Sequence, residues 1–431
     1  MGPLPLAKYG TLCKHKAKAK KSKIRNNEEA EQSSKKHFHT LEALRKAERD
    51  SLRYGVEMRI QCFLLFLQIS VYAEMTSTDG RSTANWWEAV PRVLTDIVTV
   101  KANILTAVPL ELAANAIDTL CSSTLFMGRV PPKITPDINK MHFQYMTPCH
   151  NYSVPLLDAA KLWNHSKFGK GRKVVILATG WTNTVNESSA IAMISRAFMC
   201  RRDVNFVIVD AADYVDTLYS WSALNTDLIG EHIAVGLTHL IELTPLRNIH
   251  LIGHSLGAHI MGTAGRSFKR LTGRLVPRIT GLDPAKPCFR QEKILPGLTR
   301  GDAQLVDIIH TNIGILAKRG PLGDVDFYPG GAHPIQPGCL TIGCSHTRAV
   351  EYFAESAYPQ QEKNFMATKC SSWDELRRRD CRAGNPSSMG YIIDRKARGI
   401  YYLDVNGWPP YGRSSSKAGD PSSKTCYLCR T

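Results

Sequence analysis

The chain has 431 residues, of which 43% are hydrophobic, and it carries a formal net charge of +17 at pH 7. This length and composition exclude a wholly disordered protein and allow a sizeable core in one large or two medium domains. The positive charge would suit nucleic acid or an anionic lipid surface, but a large share of it lies in residues 1–57 and outside any predicted fold.

The N-terminal segments predict a secreted protein. Segment 1–57 contains the run KHKAKAKKSK and few apolar residues, so we expect a solvated, disordered arm. Segment 58–73 has a charged start, an apolar block from Ile60 to Tyr72 and a small-x-small end, which is the order of a secretory signal peptide. We therefore expect Met58 to be the natural start, with residues 1–57 belonging to an overlong translation. The alternative is a signal anchor with a basic cytoplasmic tail.

Cysteines and glycosylation sequons agree with an oxidising compartment. Two cysteine pairs, Cys339/Cys344 and Cys370/Cys381, are close enough in sequence to close small loops as disulfides. Neither pair is accompanied by the second C-x-x-C or the histidine pair that a zinc site needs. The N-x-[ST] sequons, which are candidate glycosylation sites, begin at Asn151, Asn164 and Asn186.

The rest of the chain divides into three segments. Segment 74–139 suggests short helices and extended stretches without a catalytic signature, and segment 412–431 is a tail. Within 140–411, apolar residues fall on one helical face from Asp227 to Leu243, which predicts a helix. Predicted strands lie in HFQYM, KVVILAT, NFVIVDA, NIHLIGH, RITGLD and LVDIIHT. Short apolar strands between helices predict an α/β fold with a mainly parallel sheet and functional groups at the carboxyl ends of its strands.

The stretch NIHLIGHSLGAHIMG places Ser255 between one of these strands and a helix. Gly253 and Gly257 stand two residues to either side, where glycine avoids collisions around a strained turn. The G-x-S-x-G pattern alone is also compatible with an ordinary serine in a tight turn. The flanking strand and helix favour an exposed nucleophile.

A serine nucleophile needs a histidine and a carboxylate, which follow it in the order Ser, Asp/Glu, His in this architecture. Asp283 follows the strand RITGL, although capping a turn is an alternative role. The later candidates are His310 in an apolar strand, His333 in a glycine loop, and His346 between the Cys344 loop and a helix. A loop pinned by a cysteine can present an imidazole, which favours His346.

The oxyanion of the tetrahedral intermediate needs backbone N–H donors. One is predicted at Leu256, directly after the serine. The second is predicted in the segment after the strand KVVILAT, where Gly180 and Trp181 stand.

Five motifs occur in order: GHSLGAHI, RITGLDPAKPCF, VDIIHT, DVDFYPGG and CSHTRAVEYFAES. With them the chain resembles the pancreatic-lipase family from about Lys140 to Tyr411. It is most similar to insect members, which include phospholipase A1-type enzymes and yolk-protein relatives. The resemblance implies an α/β-hydrolase fold and a role for each site residue: Ser255 as nucleophile, Asp283 as acid, His346 as base, and the N–H groups of Trp181 and Leu256 as the oxyanion hole.

The resemblance also implies the reaction, a serine carboxylic-ester hydrolysis through an acyl-enzyme intermediate. Only LTIG stands between Cys339 and Cys344, where long-lid members carry a flap. Short lids in this family go with phospholipids and galactolipids, so we expect phospholipase A1-type activity. The alternatives are a triacylglycerol lipase and a non-enzymatic yolk or lipid-binding relative, a class that lacks the serine.

The expected partners are a lipid substrate and the lipid-water interface. We expect no metal, because Asp302 alone matches the acidic set of the family's calcium site. We expect no other cofactor, no colipase-type protein partner and no nucleic acid, while the oligomeric state stays open.

Three basic residues, Lys318, Arg319 and Arg348, would favour an anionic head group if they line the cleft. A solvated charge is the alternative for each.

Overall fold

The computed structural model describes residues 138–180, 189–211, 219–289 and 295–414. The chain divides into two units, Met1–Ala84 and Asn85–Thr431, and every described residue belongs to the second. The predicted arm, the predicted signal peptide and nearly all of segment 74–139 lie outside the described residues, as does the tail from residue 415. Within the described ranges, no helix has both the length and the apolar composition that a membrane span requires.

The described residues contain an eleven-stranded sheet and seven α-helices. The strands are β1 (His142–Met146), β2 (Asn151–Pro155), β3 (Lys173–Ala178), β4 (Val204–Asp210), β5 (Ile249–His254), β6 (Ile279–Leu282), β7 (Val306–Ile309), β8 (Val325–Pro329), β9 (Met366–Cys370), β10 (Ala383–Ser388) and β11 (Gly399–Leu403). The helices are α1 (Ala159–Trp163), α2 (Ser189–Arg201), α3 (Tyr219–Leu224), α4 (Thr226–Leu240), α5 (Leu256–Thr272), α6 (Ile342–Ala357) and α7 (Trp373–Arg378). Short 3-10 turns span Ile138–Lys140, Leu156–Asp158 and Leu246–Asn248.

The middle of the sheet is parallel, in the order β11-β8-β7-β6-β5-β3-β4. One edge continues antiparallel through β1 to β2, and the other through β9 to β10. The predicted α/β-hydrolase fold is confirmed. Because neighbouring parallel strands end at the same edge, the segments after β3, β5 and β6 lie side by side.

Helices cover both faces of the parallel strands. Val174 and Ile176 of β3 belong to one buried cluster, together with apolar residues of α4 and α5. Val175 and Leu177 point to the opposite face, into a cluster formed with α2 and α6. Successive side chains of a strand alternate between faces, so a strand buried on both sides needs an unbroken apolar run. This explains the continuous apolar sequences of the central strands.

Covalent cross-links fix two peripheral loops. The structure has the disulfides Cys339–Cys344 and Cys370–Cys381, as the spacing predicts. Cys149, Cys200 and Cys288 are disulfide-bonded as well. Of the predicted glycosylation sites, Asn151 and Asn164 are exposed, while Asn186 lies outside the described residues. Glycosylation stays a prediction.

Candidate active site

Ser255 occupies a one-residue turn between β5 and α5. Its φ of 56° and ψ of −119° belong to a region that residues with a side chain rarely adopt. Its N–H donates to the carbonyl of Leu282 at 3.0 Å, which ties the turn to the end of β6. The strained conformation is therefore held by the neighbouring strand.

Three glycines let the backbone close around this serine. A Cβ on Gly253 would lie 2.2 Å from the carbonyl oxygen of Gly257, and one on Gly257 would lie 2.1 Å from that of Ala178. A Cβ on Gly180 would lie 2.7 Å from the Cβ of Ser255. Any side chain at these positions would force the turn apart, which is the physical reason for the G-x-S-x-G spacing.

The turn also presents a backbone donor. Leu256 is the first residue of α5, so its N–H has no acceptor within the helix and lies at the positive end of the helix dipole. A Cβ on Gly180 would lie 3.0 Å from this nitrogen, so the segment after β3 abuts it. Trp181 lies outside the described residues, and the pairing of its N–H with that of Leu256 stays a prediction.

Asp283 and His346 are in direct contact. Oδ2 of Asp283 lies 2.6 Å from Nδ1 of His346. Oδ1 accepts hydrogen bonds from the N–H groups of Thr311 at 2.7 Å and Asn312 at 2.9 Å. Asp283 is fully buried and has a φ of 46°, because the chain turns sharply where β6 ends. Since the carboxylate accepts from Nδ1–H, Nε2 of His346 remains as the nitrogen that can take up a proton.

His346 lies within α6 and not in a loop before it, so the sequence prediction was wrong on this point. The helix begins at Ile342, because the hydroxyl of Thr341 caps it by accepting from the N–H of Cys344 at 3.1 Å. The disulfide Cys339–Cys344 spans this start. The histidine side chain is 15% exposed, which leaves it an open side for substrate.

The other histidine candidates lie away from this contact. His310 follows β7, fully buried, with Nε2 2.8 Å from Asp326 and its ring stacked on Tyr328. His333 is exposed in its loop.

Backbone contacts hold the serine and aspartate turns together. The carbonyl of Ser255 accepts from the N–H of Ala285 at 3.3 Å, two residues after Asp283. Within the described residues, the Ser255 hydroxyl and His346 form no hydrogen bond; such contacts often tighten only when substrate binds. The structure thus joins Asp283 to His346 directly and places Ser255 on the adjacent strand end.

His259 supports the same region, and sequence reasoning missed it. Its Nε2–H donates to the carbonyl of Ala285 at 2.8 Å, and its Nδ1 accepts from the N–H of Leu298 at 2.9 Å. The ring stacks on Phe289 with centroids 3.7 Å apart. Because both nitrogens have partners only when the ring is neutral, His259 locks the loop after Asp283 onto α5.

Acid should destabilise the fold through its buried histidines. Burial lowers the pKa of His254 and of His259 from the ordinary 6.5 to about 3, and burial, together with the Arg278 cation, lowers the pKa of His250. Below pH 6.5 the unfolded chain therefore binds more protons than the folded one. Each such histidine removes up to about 1.4 kcal/mol of stability per pH unit between 6.5 and its folded pKa.

Urea unfolding at pH 7.5 and pH 5 measures this effect, and we expect a lower free energy of unfolding at pH 5. Asp302 acts in the opposite sense, because burial raises its pKa to about 6. Asp302 is a single group, whereas three buried histidines lower the stability in acid. His259→Gln should reduce the pH dependence by one histidine's share. Equal stability of the parent at both pH values would contradict the prediction.

Arg348 is not available to a head group or to solvent, so both interpretations of this residue were wrong. Its buried guanidinium bonds to Glu351 and to the hydroxyl of Tyr411, and it donates to the carbonyl of Gly407 at 3.0 Å. It thereby fastens the chain after β11 to α6. Arg319 is exposed, and Lys318 is partly buried with its Nζ bonded to the carbonyl of Phe289.

Asp302, the acidic residue considered for a calcium site, already has partners. Its Oδ2 accepts from Arg266 at 2.7 Å and from the N–H of Thr299 at 2.9 Å. In the part of the chain that the structure describes, no group of three or more His, Cys, Asp or Glu side chains is arranged to hold a metal ion.

A family model described as "Lipase" matches residues 132–411. Among curated relatives, "Vitellogenin-3" of Drosophila melanogaster is 39% identical over 49% of this chain and 50% of its own length. "Pancreatic lipase-related protein 2" of Cavia porcellus is 36% identical over 53% of this chain and 54% of its own. "Phospholipase A1 2" of Vespa affinis is 32% identical over 59% of this chain and 80% of its own. The chain spans about half the length of the first two.

Proposed function

Because the chain belongs to the lipase family, we propose that it is a secreted carboxylic-ester hydrolase that releases fatty acids from lipids. The contact between Asp283 and His346, beside the strained turn of Ser255, is the observation that supports this most. Disulfides among the described residues support secretion, since such bonds persist in oxidising compartments. The predicted signal peptide of residues 58–73 would direct export.

In the proposed mechanism, Oγ of Ser255 attacks the ester carbonyl while Nε2 of His346 takes its proton. Asp283 stabilises the imidazolium that forms. The N–H of Leu256, with that predicted at Trp181, donates to the oxyanion. The imidazolium protonates the leaving alcohol, and an acyl-enzyme remains. A water molecule then attacks the acyl carbon, His346 takes its proton, and the fatty acid leaves as Ser255 recovers its hydrogen.

For the substrate we propose phospholipids cleaved in the manner of a phospholipase A1. The segment between Cys339 and Cys344 has four residues, too few for a helical flap over the acyl groove. Its Leu340 is 98% exposed and so is not packed over any of the described residues. An open groove suits a lipid whose polar head stays in water. Similarity to "Phospholipase A1 2" of Vespa affinis supports the same choice.

Two alternatives remain. Similarity to "Pancreatic lipase-related protein 2" and to "Lipoprotein lipase" of Bos taurus favours a triacylglycerol lipase. Similarity to vitellogenins favours a non-enzymatic relative. The presence of Ser255, Asp283 and His346 together argues for an enzyme.

Hydrolysis of a lipid panel tests the proposal. We expect purified protein to release the sn-1 fatty acid from phosphatidylcholine and phosphatidylglycerol about tenfold or more faster than any fatty acid from triolein. Mass spectrometry of the products identifies the position cleaved, and Ser255→Ala serves as the blank. Triolein cleaved with phosphatidylcholine intact would replace the phospholipase by a triacylglycerol lipase. No product from any lipid, together with no fluorophosphonate labelling of folded protein, would favour the non-enzymatic relative.

A further inference from the structure

His254, the residue before the nucleophile, contacts the main chain that carries His346. Its Nε2 lies 3.2 Å from the carbonyl oxygen of His346, and the two imidazole rings pack with centroids 4.7 Å apart. The side chain is almost fully buried, with 3% of the residue exposed. The last residue of β5 is therefore bonded to the first turns of α6.

The hydrogen bond and the burial of His254 together define its protonation state. A carbonyl oxygen only accepts, so Nε2 must carry a hydrogen. Nδ1 is buried and forms no hydrogen bond within the described ranges. Burial, and then the nearby His346, lower the pKa of His254 to about 3. His254 is thus a neutral donor over the working range of such an enzyme and is unsuited to being a second base.

We propose that His254 is a positioning residue that sets the distance between His346 and Ser255. This inference rests on the proposed function. Asp283 orients the imidazole of His346 through Nδ1 but does not fix the backbone from which that ring projects. His254 supplies this second point of attachment, from the residue directly before Ser255. Ser255 is then linked to the backbone of His346 through one peptide bond, the His254 side chain and one hydrogen bond.

The neutrality of His254 also matters to this role. When His346 takes the serine proton, its ring becomes a cation beside Asp283. A charged neighbour with its ring centroid 4.7 Å away would oppose that proton transfer, whereas a neutral imidazole does not. Displacement of a catalytic group by about 1 Å costs up to about 100-fold in rate, so even a small movement of α6 should be visible in turnover.

Two substitutions of His254 by amide residues distinguish a positioning role from a role in packing alone. The amide nitrogen of His254→Gln lies near the position of Nε2 and can still donate to the His346 carbonyl. The amide of His254→Asn lies near the position of Nδ1 and cannot reach it. We expect the glutamine variant to keep kcat within about threefold of the parent, and the asparagine variant to lose about 10- to 100-fold in kcat with little change in KM.

Both variants are compared with the parent in hydrolysis of a short-chain ester and in the rate of labelling by a fluorophosphonate, normalised to folded protein. If the asparagine variant fails to fold, His254→Phe, which keeps a ring but no donor, takes its place with the same expectation. Equal kcat in the glutamine and donor-free variants, whether both are high or both low, would overturn the positioning role. An unlabelled, inactive parent would instead overturn the proposed function.

Discussion

Ser255→Ala is expected to lower kcat for ester hydrolysis by about 10⁴-fold or more while leaving the fold intact. Alanine keeps the Cβ and therefore adds no strain at a φ of 56°. The removed hydroxyl has no bond to His346 that stability would lose. The free energy of unfolding should change little, and labelling by a fluorophosphonate should disappear.

Ser267→Ala is the matched control, because Ser267 is a buried serine in the body of the same helix, α5. This variant should keep the parent's turnover. Hydrolysis by Ser255→Ala at a rate near the parent's would show that another residue is the nucleophile.

Asp283→Asn is expected to lower kcat by about 10⁴-fold through the tautomer of His346, by analogy with the same change in a serine protease triad. Two backbone donors, Thr311 and Asn312, point at Oδ1, so the amide oxygen must take that place. The amide NH₂ then faces Nδ1 of His346, which must accept. The ring hydrogen moves to Nε2, and no lone pair is left to receive the serine proton.

Turnover and the fluorophosphonate labelling rate measure this change, while urea unfolding checks that the side chain of equal size leaves stability nearly unaltered. Asp302→Asn is the control, another buried aspartate, which bonds to Arg266 and not to the proposed triad. It should lose stability but keep kcat. A fully active Asp283→Asn variant would remove Asp283 from the mechanism.

Strands β3 to β7 could be predicted from the sequence because they are buried on both faces. β3 (KVVILA) is apolar after its first residue, and β5 (IHLIGH) is apolar or small apart from its two histidines. The strands at the two edges were missed, as were β8, β9 and β11. β2 (NYSVP) and β10 (AGNPSS) carry polar residues, glycine and proline, since an edge strand faces solvent and needs fewer ladder hydrogen bonds.

In the candidate site, some residues could be located from local sequence and others could not. Ser255 and Asp283 follow predicted strands, so their turns could be located from local sequence alone. His254 and His259 could not be interpreted in this way, because their acceptors, the carbonyls of His346 and Ala285, come from distant parts of the chain. Arg348 was misjudged for the same reason: its partner Tyr411 lies 63 residues further on.

The proposed catalytic turns occupy a small part of the fold. The turns at Gly180, Ser255 and Asp283 follow three adjacent strands, which at the usual spacing span only about 10 Å of an eleven-stranded sheet. Substitutions in the outer strands of the sheet therefore need not alter the geometry of these three turns. Conversely, the serine hydroxyl contributes little to the stability of the fold, so we expect its loss to change the free energy of unfolding little. An active hydrolase and a non-catalytic lipid-binding protein of the same fold can thus differ by a single substitution.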